Sequence, residues 1–402
     1  MTAEISATVN RPNLPEEGGG ISCEVVVDPG EIDQPAERHV AICVDTSGSM
    51  DMRDKIDQVR DAANLVFGLL NEDDYLSIVS FDTDVDTILE ATRWGDIGRT
   101  DAERRVGRLE ARGGTDIYAG LETAWESISD IGGGEDVAKR ILLLSDGRDT
   151  SFEAKEFEPL AKSIAEDGIS VYSAGIGVDY DKDTIRTLGE QSQGRWVHVT
   201  KPTDIRSFFG DVVQEASTVV ANNPQLVIEP VAPGTEIAEV YRRTPQVQRV
   251  DPEYRDGDVI VGLPDLQEQE EQRVVMKLDA PGGEVGNRQL LANLGIEAGS
   301  RSASTQLAVE YTDDEEKLAE QNRDVFLAHR DTVIRSDLAH ADEDEELEEV
   351  KDLIDETEII AGDTQVVTDL KEDVTKIEEG DEEQTRRIQE QTTVVYEDER
   401  FE

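Results

Sequence analysis

This chain is short of positive charge. Lys and Arg number 39 against 92 Asp and Glu, and the formal net charge is -53. That deficit argues against DNA, RNA or an anionic membrane as a partner, because each is met by a basic surface. Lysine is also scarce beside arginine. An acidic, strongly hydrated surface of this kind is expected of a cytoplasmic protein from a salt-loving microbe, where salt screens the self-repulsion. Histidine is rare, four residues in all, and His39, His198, His329 and His340 are scattered, with no zinc spacing and no Cys partner. His198 ends a strand and is expected to pack. The two cysteines, Cys23 and Cys43, both lie inside strand-like runs. They are expected as small buried thiols and not as a disulfide or redox pair. Long apolar runs are missing: none approaches the ~20 residues of a membrane span. The first residues, Met1-Thr2-Ala3-Glu4-Ile5, lack the basic and apolar regions of a secretory leader. No Gly-x-Ser-x-Gly elbow and no P-loop occurs. Gly18-Gly19-Gly20 and Gly132-Gly133-Gly134 have neither the Lys nor the helix context of a phosphate cradle and read as flexible loops.

What is present is periodicity. Hydrophobic residues make up 37% of the 402, and they recur regularly along most of the length, which favours a folded protein over a disordered one. The length suggests two or three domains. Alternating residues from Ala3 to Val9, and the run Ile21 to Val27, predict two early strands ended by Asp28-Pro29-Gly30. From His39 to about Ala221 strands and helices alternate. Val40–Val44, Tyr75–Phe81, Ile141–Leu144, Ile169–Ile176 and Trp196–Val199 read as buried strands, with Val85–Leu89 as an edge strand. The helices between them carry Ile56, Val59, Ala63 and Val66, or Leu121, Ala124 and Ile128, on one face. The expectation is an α/β fold with a doubly wound, mostly parallel sheet covered on both faces.

Asn222-Asn223-Pro224 breaks that pattern. Short strand candidates then recur to Tyr311, separated by turns such as Asp256-Gly257, as in a β-sandwich. The predicted organisation is residues 1–37 as N-terminal strands of the sandwich, 38–221 as the inserted α/β domain and 222–312 as the rest of the sandwich. Residues 313–402 follow as an acidic helical region. In that last region Leu347, Val350 and Ile354, and Val367, Leu370 and Val374, keep helical spacing. Asp342-Glu343-Asp344-Glu345-Glu346 reads as a solvated connector or helix start.

The chemistry lies at strand ends. Asp45-Thr46-Ser47-Gly48-Ser49 follows the apolar run Val40–Val44 directly. Thr115 follows Gly113-Gly114, and Asp146 stands in Ser145-Asp146-Gly147. In a doubly wound sheet these three loops share the carboxyl edge and can converge. Asp45, Ser47, Ser49, Thr115 and Asp146 together offer three hydroxyls and two carboxylates. Such short, hard oxygen donors suit a cation of Mg²⁺ size, with Mn²⁺ and Ca²⁺ as alternatives, and they leave room for water and one open position. A competing reading is that Asp45 and Ser47 merely cap the following helix; capping and ligation are compatible. Asp82, Asp84 and Asp86 form a carboxylate ladder on the neighbouring hairpin. A solvated turn is favoured there over a second cation site, since the Gly and distal Glu of a calcium loop are missing. Asp149 and Thr150 read as a turn at the rim.

With these three segments in order, residues 38 to 220 resemble the von Willebrand factor A domain family and its metal-ion-dependent adhesion site. That site is patterned Asp-x-Ser-x-Ser, then Thr, then Asp. The resemblance implies direct metal binding by Ser47, Ser49 and Thr115, and binding by Asp45 and Asp146 largely through water. The flanking layout is similar to prokaryotic proteins labelled calcium-activated chloride-channel-like, a label that implies no channel. The first functional expectation is a metal-dependent protein-binding module whose cation takes an Asp or Glu of a partner, coupled to the last α/β helix near residues 203–217. A second is a subunit of an AAA+ ATPase or kinase/phosphatase machine, with the acidic tail as docking element. A third, a metal-assisted hydrolase, is disfavoured because no general base or nucleophile stands out. No catalytic residue is assigned.

Overall fold

The computed structural model describes residues 3–31, 35–132, 137–201, 203–299, 301–341 and 344–395. Gly133 and Gly134 of the second glycine tract, and Asp342 and Glu343 of the acidic run, lie outside them. The chain forms two compact units: Glu31–Asn223 with Pro264–Glu268, and Met1–Gly30 with Pro224–Leu263 and Gln269–Glu402.

The first unit is built on a six-stranded sheet. Its strands are β1 (Glu37–Asp45), β2 (Tyr75–Phe81), β3 (Val85–Arg93), β4 (Val137–Ser145), β5 (Ile169–Ile176) and β6 (Arg195–Val199). Their order is β3-β2-β1-β4-β5-β6. All neighbours are parallel except β3, which is antiparallel to β2 at the edge. The interior strands are nearly continuous apolar runs because both faces are covered, whereas edge strand β3 is exposed or half-buried except at Leu89. One face packs α1 (Lys55–Val66), α2 (Arg99–Val106) and α6 (Asp204–Ala216), through Val59, Val66, Val106 and Phe209. The other packs α3 (Ile117–Ser129), α4 (Ala154–Glu166) and α5 (Lys182–Gln191), through Leu121, Phe157 and Leu188. After β1 the chain moves outward to β2, and it returns to β4 on the other side of β1. The strand order therefore reverses between β1 and β4, and a crevice opens at their carboxyl ends.

A short strand pair, β7 (Val219–Ala221) with β8 (Leu266–Gln267), also belongs to this unit. Segments this short carry no period-2 signal, so the sequence pattern does not reveal them.

The second unit holds a set of helices and two sheets, antiparallel except where Asn13–Leu14 pairs parallel with Arg301–Tyr311. Gly19–Asp28 pairs along its length with Gln272–Ala280, so strands from before and after the α/β region share one sheet. Asp258–Gly262, Gln225–Pro230, Arg288–Ala298 and Arg301–Tyr311 are consecutive neighbours in the other. Four longer helices, Arg323–His340, Asp344–Ala361, Gln365–Glu379 and Glu382–Thr393, follow the short Glu315–Leu318. Leu338, Val350, Ile354, Val367, Leu370 and Val374 form a core shared by the first three of these four, the apolar stripes expected from helical spacing. Cys23 and Cys43 are buried free thiols. Among the described residues no helix is long and apolar enough to cross a membrane.

Candidate metal centre

β1 ends in Asp45, which is fully buried at the β1/β4 crevice. Its Oδ1 accepts the Ser47 amide at 2.7 Å, and its Oδ2 accepts the Ser145 hydroxyl at 2.5 Å from the end of β4. The carboxylate is thus held by both strands that frame the crevice. Ser47 precedes a 3-10 turn, Gly48–Asp54, and stands at its N-cap position, yet its side chain makes no capping hydrogen bond. Its Oγ instead lies 3.0 Å from Ser49 Oγ. Ser49 donates to Asp146 Oδ1 at 2.6 Å, and Ser47 Oγ stands 3.5 Å from the same oxygen. The capping alternative therefore holds for one backbone amide on Asp45, while the two serine hydroxyls face inward.

Thr115 reaches the same place on a loop laced to its neighbours. Gly113 has φ +72°, and a Cβ there would come within 2.9 Å of Thr83 Oγ1, so glycine is required on both counts. The Gly48 amide donates to Gly113 O at 3.3 Å, and the Arg112 amide to Thr46 O at 2.6 Å. The Gly114 amide donates to Thr83 Oγ1 at 2.8 Å. Thr150 donates through both its amide and its hydroxyl to Thr115 O, each at 3.0 Å. Asp149 links the same two loops. Its Oδ2 accepts the amides of Ile117 and Tyr118 at the start of α3, and its Oδ1 accepts those of Ser151 and Phe152. Asp149 and Thr150 are thus a turn, as expected, and also the clamp that holds the Thr115 loop against the Asp146 loop.

The Asp82-Asp84-Asp86 ladder is a braced turn. Asp82 Oδ1 accepts the Asp84 amide at 3.0 Å, and Arg112 reaches Asp82 and Asp86 at 2.9 and 2.6 Å. Burial works against the charge on Asp82, but the Asp84 amide and then the Arg112 guanidinium hold its carboxyl below the usual range.

Two buried carboxylates meet at the centre, Asp45 at 0% and Asp146 at 1% exposure. Burial pushes the Asp45 carboxyl up to about 6; hydrogen bonds from Ser145 and Ser47 oppose the rise, and the charge of Asp146 adds to it. Gly147 keeps space between the ligands. A Cβ on it would lie 2.8 Å from Thr115 Oγ1 and 3.6 Å from Asp45 Oδ2, so both oxygens border one small volume. Lys55, the first residue of α1, is itself buried and places its Nζ on Asp146 Oδ2. An ammonium thus already stands against one of the two carboxylates. The donor set, three hydroxyls and two carboxylates around space kept open by a glycine, fits a small hard divalent cation. Among the described residues no group of three or more His, Cys, Asp or Glu could hold a metal ion.

All five residues singled out from the sequence, Asp45, Ser47, Ser49, Thr115 and Asp146, are brought together. Sequence reasoning named Ser145 and Gly147 beside Asp146 without giving them a role, and passed over Lys55 and Arg112. Lys55 had a signal, since a cation in a helix's first turn opposes the macrodipole and asks for a local reason. His198, expected to pack, stacks on Tyr180 and hydrogen-bonds its hydroxyl at 3.0 Å.

Residues 39–211 match the von Willebrand factor type A domain. An uncharacterized protein of Synechocystis sp. is 26% identical over 64% of this chain and 60% of its own length. Inter-alpha-trypsin inhibitor heavy chain H2 of Mus musculus is 28% identical over 48% of this chain and 21% of its own. The chain thus spans less than two thirds of the length of each of these relatives. A von Willebrand factor type A protein from Catenulispora acidiphila superposes with a TM-score of 0.82, at 16% identity and 98% coverage of both chains. The ArnB paralog VWA2 from Sulfolobus acidocaldarius superposes with a TM-score of 0.67, also at 16% identity and 98% coverage of both. At these identities the likeness is one of fold.

Proposed function

With residues 39–211 forming a von Willebrand factor type A domain, we propose that this protein is a metal-dependent binding module that captures an acidic residue of a partner protein. Domains of this family generally mediate interactions between proteins and typically bind a divalent metal at this site, which supplies the coarse reading. The observation that carries the finer one is the convergence of Ser47, Ser49, Thr115, Asp45 and Asp146 on one crevice, with Ser49 2.6 Å from Asp146. Ser47, Ser49 and Thr115 are assigned as direct ligands, and Asp45 and Asp146 as carboxylates that orient bound water. A divalent cation held there supplies Lewis-acid affinity for one carboxylate oxygen. The chain's own residues do the rest. Asp149 and Thr150 fix the Thr115 loop, and Arg112 stiffens the hairpin beside it.

We further read the two sheets as one sandwich interrupted by the α/β unit, and the acidic helices after it as a candidate docking segment. No catalytic residue is assigned, and the acidic surface is taken as that of a cytoplasmic protein of a high-salt cell. An AAA+ ATPase or a kinase set is among the partners a pull-down would reveal.

The test is a pull-down in high salt with Mg²⁺ or with EDTA, read by mass spectrometry, for the full chain and for Asp45→Ala/Ser47→Ala. The expected result is a set of partners lost on chelation and lost in the variant. Partner binding that survives both would sink the proposal.

A further inference from the structure

Lys55 is placed where its charge is costly. It is the first residue of α1, whose N-terminal end carries the positive end of the helix dipole and favours acids. It is also buried, at 8% exposure, in a chain whose lysines have an abundant acidic surface to choose from. The residue before it, Asp54, sits in the left-handed region at φ 58° and turns the chain out of the 3-10 segment into α1. Side chains lean toward the helix N-terminus, so the first residue of α1 points back at the loop Asp45–Ser49. Its ammonium ends on Asp146 Oδ2, while Asp146 Oδ1 receives Ser49. One carboxylate oxygen thus faces the hydroxyl cluster and the other faces a fixed positive charge.

We propose that Lys55 is the charge-setting residue of this centre: it weakens binding of the divalent cation and leaves the loaded centre with a net positive charge for an incoming carboxylate. The inference rests on the metal-binding reading above. Two carboxylates and one divalent cation are neutral together; with the Lys55 ammonium the same centre carries a single positive charge. A neutral loaded centre would offer a partner carboxylate little beyond one coordination bond. A positive one attracts it electrostatically, inside a protein whose surface otherwise repels anions. The cost falls on the metal, which must enter beside a like charge. Two charges on the cation against one on Lys55, several ångströms apart and partly screened, change the affinity by about tenfold or more.

The experiment titrates Mn²⁺ into full-length protein and follows it by electron paramagnetic resonance. The variants are Lys55→Met, which keeps the buried stem and removes the charge, Lys55→Arg, which keeps the charge, and Ser47→Ala/Ser49→Ala. Acetate is then added to the Mn²⁺-loaded forms, and the fall in water proton relaxation reports carboxylate replacing bound water. Unfolding in EDTA checks each variant's fold, and Lys55→Gln replaces Lys55→Met if the latter unfolds. The expected result is Mn²⁺ binding about tenfold tighter in Lys55→Met and close to wild type in Lys55→Arg, with acetate affinity lower in Lys55→Met. Unchanged or weaker Mn²⁺ binding in folded Lys55→Met overturns the proposal, since Lys55 would then only orient Asp146. Tighter Mn²⁺ with unchanged acetate affinity overturns its second half. Wild-type protein that binds Mn²⁺ no better than Ser47→Ala/Ser49→Ala defeats the metal site itself, a failure separate from the other two.

Discussion

The two ends of the central sheet bury charge in opposite ways. Near the amino end of β1, Arg38 and Asp74 are 3% and 1% exposed and matched in full. The Arg38 amide donates to Asp74 Oδ1 at 3.0 Å, its Nε donates to Oδ2 at 3.0 Å, and the Asn71 amide donates to the same oxygen at 2.6 Å. The other guanidinium donors of Arg38 reach Leu69 O and Val213 O. In β4, Arg140 donates to Val212 O at 2.7 Å, lies 3.6 Å from Asp265 and stands over the Tyr172 ring. At the carboxyl end one ammonium stands against Asp146 alone, while hydroxyls meet both Asp146 and Asp45. The planar fork of Arg38 closes its own set within the chain. Short side chains leave the second set open to an outside cation. A buried polar cluster is therefore structural or functional according to whether the chain completes it.

The largest expected effect tests the closed end. Asp74→Ala leaves the Arg38 guanidinium buried without its partner, and such a loss costs about 3–5 kcal/mol. The expected outcome in urea unfolding is a drop of that size in the stability of the α/β unit, equal with Mg²⁺ and with EDTA. A drop that Mg²⁺ restores would break the comparison, because the amino end would then be coupled to the metal.

The open end should behave in reverse. Ser47→Ala/Ser49→Ala leaves the apolar core untouched but removes the hydroxyls at Asp146 Oδ1, so stability in EDTA should fall by about 1–3 kcal/mol. Wild-type protein at a hundredfold excess of Mg²⁺ over its dissociation constant gains about 2.7 kcal/mol. The double variant should gain none of it. Thermal melts with and without Mg²⁺ check this, and a retained shift would move the metal elsewhere.

These two ends were unequally legible in the sequence. Asp45, Ser47 and Ser49 lie within one pentapeptide after an apolar strand, and Thr115 and Asp146 stand at the openings of later elements. Strand periodicity plus the rule for carboxyl edges was enough to bring them together. The same periodicity located edge strand β3 and the helix faces. Lys55 was not legible in that way. Its contact depends on the left-handed turn at Asp54 and on the backward lean of a first-turn side chain, and neither leaves a periodic trace. Asp265 was further out of reach. It arrives at Arg140 on Pro264–Glu268, a short piece of the later chain that joins the α/β unit through β7 and β8, too brief for any pattern. Local pattern places what lies at strand ends; it does not show which distant side chain completes a buried charge.

The acid response separates the ends further. The Asp45 carboxyl is raised from 3.8 to about 6 in the metal-free fold. Between those values the folded chain holds a proton that the unfolded chain releases. Stability in EDTA therefore falls as pH rises from about 4 through about 6, and the penalty is complete above that, about 3 kcal/mol. Asp45→Asn has no such charge to bury. The difference between wild type and Asp45→Asn should shrink to near zero at pH 4 and favour the variant at pH 7. Other carboxylates titrate in both proteins and drop out of that difference. A variant no more stable than wild type at pH 7 in EDTA would mean that Asp45 already has its charge satisfied within the chain, as at the amino end.

The smallest effect concerns space. Gly147 has no positive φ, so alanine is allowed by its backbone, and the sole objection is the 2.8 Å approach of a Cβ to Thr115 Oγ1. Thr115 is β-branched and stiff at χ1, but its side chain is the part that can give way. Gly147→Ala should therefore leave the fold nearly as stable as before while turning the Thr115 hydroxyl away from Asp45. The loss of one ligand among several is expected to weaken Mg²⁺ binding by about tenfold, or about 1.4 kcal/mol, measured by calorimetry. Thr115→Ala made alone should weaken binding similarly, and the two changes together should add little to either, because both act through one oxygen. Additive losses would place Thr115 and Gly147 in separate roles. The open end would then be a looser cluster than the shared volume between Thr115 and Asp45 implies.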